Sequence, residues 1–248
     1  MGNHKGRKKI SFRNPRTKNL MTGTMTIVCF AAHPDDLEFS CTGTLSILKD
    51  QGYRIIYVIV TNGENGFKED DKLTPEKRVA IRHEEQMAVG RKLGIEEIIF
   101  LGYRDGFLTY NDELRSQLVA LIKKFKPNIV FSFDPSNRDF DNINLFHRDH
   151  RIVSEAVFDA CFASKNLLMY PGERHKIDKL YFFGSNRPNH FVDISDRIDL
   201  KLELLACHKS QFPDFSKVEV LIRNRLSRNA DSYDYSEAFR VMEIEQMT

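Results

Sequence analysis

The feature that most narrows the fold is a rhythm of four short apolar runs, each followed by a stretch with helical patterning. Thr26 to Ala32, Tyr53 to Thr61, Ile98 to Leu101 and Ile129 to Phe133 are continuous rather than alternating, and rich in β-branched and aromatic residues. Such runs mark strands buried on both faces of a parallel sheet. Parallel neighbours need crossover helices, and the intervening segments supply them. Gly43 to Gln51 is stopped by Gly52, and Thr74-Pro75 opens a helix that runs to Leu93 and ends at Gly94. Asn111 or Asp112 caps a third helix to Lys126, where Pro127 blocks continuation, and a fourth begins near His147 and runs to about Ser164. The alternation predicts an α/β chain with a three-layer α/β/α Rossmann-like fold, a mostly parallel sheet and right-handed crossovers. Further on, strands are expected at Lys179 to Phe183 and His190 to Asp193, and a helix from about Ser195 to His208.

Composition sets the outer limits. With 248 residues, 41% hydrophobic and 29% charged, the chain suits one globular domain or two small ones. No linker, repeat or low-complexity segment marks a second, so residues 25–248 read as a single domain. The longest apolar run, Ile55 to Val60, is far short of the roughly 20 residues of a bilayer-spanning helix, so no membrane span is expected. Residues 1–24 carry seven basic side chains (Lys5, Arg7, Lys8, Lys9, Arg13, Arg16, Lys18), no acidic one and no apolar core of a secretory signal. They read as a basic flexible tail. The remaining 30 basic residues against 35 acidic leave a body near −5, so the net charge of +2 hides an asymmetry. A basic tail is usually solvated, and no nucleic-acid partner is expected from it. Cys29, Cys41, Cys161 and Cys207 form no C-x-x-C pair, which suits reduced thiols in a cytoplasmic protein.

Ligands of open parallel sheets sit beyond the carboxyl ends of the strands, which directs attention to residues 33 to 42, 61 to 68, 102 to 107 and 134 to 150. The first strand runs into His33-Pro34-Asp35-Asp36-Leu37-Glu38. His33 and Asp36 are three apart, so one turn can aim both at a single point, with Pro34 stiffening it. Asp35 then points elsewhere and is free to act as a base. Helix capping by the two aspartates is the competing explanation. The fourth strand leads to Phe146-His147-Arg148-Asp149-His150, where His147 and His150 can share a face. His150 would complete a His/Asp/His set, three protein ligands and a place for water, as in catalytic zinc sites. Asp149 could hold the second nitrogen of an imidazole. Two clusters at strand ends are harder to dismiss than one. No G-x-G-x-x-G or P-loop occurs, and Asn62-Gly-Glu-Asn-Gly66 reads as a turn rather than a phosphate cradle.

The order AHPDD, CTGTL, TNGENG, RHEEQMAVGRKLG, FLGYRDG and HRDH resembles the LmbE/PIG-L family of zinc-dependent N-acetylglucosaminyl de-N-acetylases, over about residues 25 to 165. The later RPNHFVDISDRIDLKLELLACHKSQFP is similar to the diacetylchitobiose and N-acetylglucosamine deacetylase branch. The resemblance implies an LmbE-like fold, Zn2+ held by His33, Asp36 and His150, and Asp35 as general base. It implies that His147 steadies the oxyanion or protonates the leaving group with Asp149 orienting it, and that Arg82 and Asp105 hold the sugar. It implies an N-acetylated amino-sugar substrate and a homo-oligomer, trimer or hexamer. Arg148 stands where the family commonly has proline, and Leu37 where an acidic residue often follows the aspartates, with Glu38 next. A metal-dependent amidase acting on a non-sugar N-acyl substrate, or a non-catalytic carbohydrate- or nucleic-acid-binding protein on the same fold, are the alternatives.

Overall fold

Five parallel strands form the body of the sheet in the computed structural model, which describes residues 24–68, 71–95, 97–137, 147–227 and 233–244. The basic residues of the tail lie outside the described residues. The chain runs β1 (Thr26–Ala31), α1 (Asp36–Ser40), α2 (Thr42–Asp50), β2 (Arg54–Thr61), α3 (Pro75–Leu93), β3 (Glu97–Tyr103), α4 (Asp112–Phe125) and β4 (Ile129–Phe133). It continues with α5 (Arg148–Ala163), β5 (Lys179–Phe183), β6 (His190–Asp193), α6 (Ile198–Leu205), α7 (Phe215–Ser227) and β7 (Ser236–Glu243). Sheet order is β3-β2-β1-β4-β5-β7-β6, with β7 antiparallel to both β5 and β6.

Side-chain alternation along each strand builds the three layers. Ile27, Cys29 and Ala31 of β1 join one core with residues of α2, α3, α6 and α7, while Val28 and Phe30 join the other with residues of α4 and α5. Both faces of the central strands are therefore buried, which is why their sequences are continuously apolar. The strand order reverses between β1 and β4, so the loops leaving those two strands diverge and open a crevice.

The helix boundaries follow local chemistry. Thr74 caps α3 by accepting from the Lys77 amide, Pro75 occupies the first turn, and Gly94 closes the helix at φ 71°. Asn111 caps α4 by accepting from the Leu114 amide. Three features differ from expectation. A five-residue α1 follows the first cluster, the helix expected from Ser195 is a 3-10 turn followed by the shorter α6, and neither α7 nor β7 is anticipated.

One fully buried ion pair and one partly buried one tie the late elements to the early ones. Lys201 of α6, fully buried, donates to the Glu38 carbonyl (2.7 Å) and to Glu237 Oε1 (2.8 Å), and the Glu237 carboxylate also accepts from the amides of Gly43 and Thr44 (3.0 and 2.7 Å). Arg240 of β7 grips Asp134, just past β4, with two bonds of 2.8 and 2.6 Å. Lys201→Met leaves the Glu237 carboxylate buried without its cation and is expected to cost roughly 3–5 kcal/mol in urea unfolding. Burial alone would raise the Asp134 carboxyl, but Arg240 and the Ser185 and Ser136 hydrogen bonds outweigh it and lower it to about 2. An unfolded aspartate titrates near 3.9, so the ionised form contributes on the order of 2 kcal/mol that is complete above about pH 4 and lost as pH falls towards 2. Asp134→Asn should therefore lower stability at pH 7, with the deficit shrinking between pH 4 and 2 when unfolding is followed by circular dichroism.

Candidate active site

Beyond β1 the chain reverses through His33, Pro34, Asp35 and Asp36, where the Asp36 amide donates to the His33 carbonyl at 3.4 Å. Proline second and a positive φ third (Asp35, φ 105°, ψ −21°) are the marks of a type II turn, whose third position ordinarily demands glycine. The turn aims His33 and Asp36 at one point, as their spacing predicts. His33 Nδ1 lies 3.5 Å from Asp36 Oδ2 and 3.1 Å from His150 Nε2, while His150 Nε2 lies 3.0 Å from Asp36 Oδ1. Asp36 Oδ2 is held by the amides of Ala32 and His33 (2.9 and 2.7 Å), which leaves Oδ1 directed to the shared point. His150 comes from the first turn of α5, and Phe133 at the end of β4 stacks on its ring at 4.2 Å.

The spacing of these donors suits a metal ion. A tetrahedral ion bound at about 2.0–2.1 Å places its ligand atoms roughly 3.3 Å apart, and His150 Nε2 lies close to that distance from both His33 Nδ1 (3.1 Å) and Asp36 Oδ1 (3.0 Å). His33 also has the support that metal-bound imidazoles need. Its Nε2 lies 3.0 Å from Asp105 Oδ1 and 3.4 Å from Asp149 Oδ2, so the proton belongs on Nε2 and Nδ1 is free to bind. His147 stands on the same side, its ring edge-on to His33 at 4.6 Å, and the nitrogen atoms of His33, His147 and His150 fall within 4.8 Å of one another.

The electrostatics follow from this crowding. Burial would raise the Asp36 carboxyl, but His150 and His33 hold it well below the usual carboxylate range. Burial disfavours charge on His33, and the surrounding Asp105, Asp149 and Asp36 carboxylates outweigh it, so its pKa is raised. Burial, reinforced by His33 and His150, lowers His147 and leaves it a neutral imidazole. Burial also raises the Asp35 carboxyl, against the pull of Arg82.

Several residues stand differently from expectation. The Asp149 carboxylate meets His33 rather than His147, and it also accepts from the amides of Gly106 (2.7 Å) and Leu108 (3.3 Å). It is the Asp149 amide that donates to His147 Nδ1, at 3.2 Å. Asp149 thus orients His147 through its backbone, because His147 is the cap of α5 and its ring turns back over the first helical amides. Asp105 contacts His33, and Arg82 is only 2% exposed, with Nη2 bonded to Asp35 Oδ2 at 3.0 Å and to the Pro34 carbonyl. Asp35 is therefore ion-paired rather than free. Arg148 is exposed and its Nε donates to the Leu108 carbonyl at 3.1 Å, while Leu37 enters the core and Glu38 is buried with His208 at 3.2 Å.

Sequence reasoning missed the supports. Glu64 and Asn65 hold Asp105, through its amide (3.2 Å from Glu64 Oε1) and its carboxylate (3.2 Å from the Asn65 amide). Gly63, at φ 67°, lets this loop pass close to the turn, since a Cβ there would lie 2.9 Å from Pro34 Cδ and 3.0 Å from Arg82 Nε. Glu85 and Gln86 lie one turn beyond Arg82 on α3, a helical spacing that could have flagged them.

A largely buried His/Asp/His cluster beside a paired carboxylate, set at the strand-order reversal of a parallel sheet, has the donor set that metal-assisted hydrolysis requires. The chain matches the family described as PIG-L, GlcNAc-PI de-N-acetylase, over residues 28–161, and it belongs to that family. It is 32% identical over 194 residues to diacetylchitobiose deacetylase of Thermococcus kodakarensis, covering 76% of this chain and 70% of that protein. It is 29% identical over 190 residues to a probable N-acetyl-alpha-D-glucosaminyl L-malate deacetylase 2 of Bacillus anthracis, covering 73% and 78%. Among solved structures, the inhibitor complex of N,N'-diacetylchitobiose deacetylase from Pyrococcus horikoshii superposes with a TM-score of 0.82 at 30% identity, covering 88% of this chain and 84% of that one. Among the described residues, no helix is long and apolar enough to cross a membrane.

Two substitutions probe the cluster. His150→Ala should lose stoichiometric metal by elemental analysis, with activity lost as a result. Asp105→Asn, which weakens the outer bond to His33, should lower metal affinity roughly 10- to 100-fold in competition with a chromogenic chelator.

Proposed function

We propose that this protein is a zinc-dependent hydrolase that removes the acetyl group from an N-acetylglucosamine-type substrate, giving acetate and a free amine. The observation that carries the reading is the convergence of His33 Nδ1 and Asp36 Oδ1 on His150 Nε2, at 3.1 and 3.0 Å, with Asp35 one residue away. Family membership and the named activities of the relatives support the substrate class.

In this reading His33, Asp36 and His150 hold the zinc ion. When bound, zinc supplies Lewis-acid polarisation of the acetyl carbonyl and draws the pKa of water down from 15.7 towards about 7. Asp35 accepts the proton of the attacking water as its oxygen bonds to the acetyl carbon. His147, neutral and anchored through Nδ1 by the Asp149 amide, presents its other nitrogen to the developing oxyanion. As the C–N bond breaks, Asp35 returns the proton it took from water to the sugar nitrogen, and acetate and the free amine leave. The burial of Arg82 and its bond to Asp35 favour a role in fixing the base over direct capture of the sugar, and Asp105 acts on His33 in the same indirect way.

We read residues 25–248 as one catalytic domain carrying a basic tail at 1–24, working in the cytoplasm as a trimer or hexamer. Asp35→Asn should keep its zinc and lose roughly 10²- to 10⁴-fold in kcat, the usual share of a general base. Steady-state acetate release, with zinc measured on the same sample, decides it: wild-type turnover would remove Asp35 from the chemistry. A panel running from N-acetylglucosamine and diacetylchitobiose to non-sugar N-acetyl amines should show turnover confined to the sugars.

A further inference from the structure

The His33–Asp36 turn has an aspartate where a glycine belongs. A non-glycine residue at φ 105° is strained, and such a conformation persists only where its surroundings over-determine it. The surroundings here are one face of α3. Arg82, Glu85 and Gln86 follow the i, i+3, i+4 spacing, and all three are buried. Gln86 Oε1 accepts the Asp35 amide at 3.2 Å, and Arg82 takes the Asp35 carboxylate and the Pro34 carbonyl. Backbone and side chain of the same residue are thus gripped separately.

The grip is itself braced by the segment HKS at 208–210, which lies beyond the residues matched by the family. Ser210 donates to the Glu85 carboxylate twice, from its amide (2.6 Å) and its hydroxyl (2.8 Å), and Glu85 faces Arg82 at 3.7 Å. His208 Nε2 lies 3.2 Å from Glu38 Oε2, and Gln86 Nε2 donates to Glu38 Oε1 at 3.4 Å. Two lines of contacts therefore run from this segment to Asp35: Ser210–Glu85–Arg82 to its carboxylate, and His208–Glu38–Gln86 to its amide. Neither ends on the metal-facing atoms. Asp36 is held instead by the amides of Ala32 and His33, and His33 by Asp105 and Asp149.

We propose that Gln86 and Glu85, braced by His208 and Ser210, are positioning residues that hold Asp35 in a glycine-type backbone conformation and so set the direction of its carboxylate. The geometric part stands on the contacts alone, while the effect on rate rests on the deacetylase reading. Because the clamp and the ligand cluster have separate supports, the clamp can be loosened with the metal still bound.

The test uses the full-length, zinc-loaded protein and three variants. Gln86→Met removes the acceptor of the Asp35 amide at similar length, Ser210→Ala removes the hydroxyl on Glu85, and Ser210→Thr keeps it. For acetate release from N,N'-diacetylchitobiose, Gln86→Met is expected to lose roughly 10- to 100-fold in kcat, the scale of a misplaced reacting group, with KM and zinc content unchanged. Ser210→Ala should show a smaller loss of the same kind, and Ser210→Thr should recover it. In crystals of Gln86→Met, Asp35 should leave the positive-φ region. Unchanged kcat in Gln86→Met, a loss that follows zinc content or KM, or a retained positive φ would each overturn the proposal. If Gln86→Met does not fold, the Ser210 pair decides, and equal loss or no loss in both overturns it. A zinc-loaded wild type that deacetylates no sugar would sink the deacetylase reading instead, and the φ of Asp35 in Gln86→Met would then decide the clamp.

Discussion

A single buried carboxylate, Asp36, organises the carboxyl edge of this sheet. Its charge sits among two backbone amides and two imidazoles, and each of those partners comes from a different constraint. The amides exist in that orientation because β1 ends where the turn begins. His150 is within reach because β4 lies beside β1 and α5 returns over the crevice between them. A buried anion without such compensation would neutralise. Here the compensating groups are themselves metal donors, so the arrangement that stabilises the charge also prepares the site.

Beyond that cluster runs an outer layer of carboxylates and amides that fixes tautomer and direction. Asp105 and Asp149 place the His33 proton on Nε2, Glu64 and Asn65 hold Asp105, and the amides of Gly106 and Leu108 hold Asp149. Four loops or helix ends contribute, from β1, β2, β3 and β4, which is why the crevice at the strand-order reversal suits chemistry. The late part of the chain closes the structure from the other side. Lys201 and Glu237 tie α6 and β7 to the start of α2, and the 208–210 segment reaches α3 behind the turn.

Much of this was legible in the sequence where the signal is local. The continuously apolar strands, Thr74-Pro75 and Gly94 at the ends of α3, and Asn111 at the start of α4 all state their structure within a few residues. The pairing of His33 with Asp36, and of His147 with His150, followed from helical-turn spacing. Contacts between distant segments left less trace. The protein partners of Arg82, Asp105 and the Asp149 carboxylate, which are Asp35 and His33, leave no trace in spacing, because spacing says which residues can share a face, not what that face meets. Strand β7 mixes polar and apolar residues at the antiparallel side of the sheet and α7 buries only Ile222 and Leu226, so neither carries a continuous apolar run like those that revealed the first four strands. The left-handed backbone of Asp35 was invisible because aspartate occupies a position where only glycine would have announced it.

The most direct test of the account is acetate release from diacetylchitobiose by one protein sample in three states: as purified, stripped with a chelator, and reloaded with stoichiometric zinc. Activity that disappears on stripping and returns with zinc is the predicted result. Undiminished release from metal-free protein, or none from the zinc-loaded form, would contradict the assignment of this cluster as the centre of a metal-dependent deacetylase.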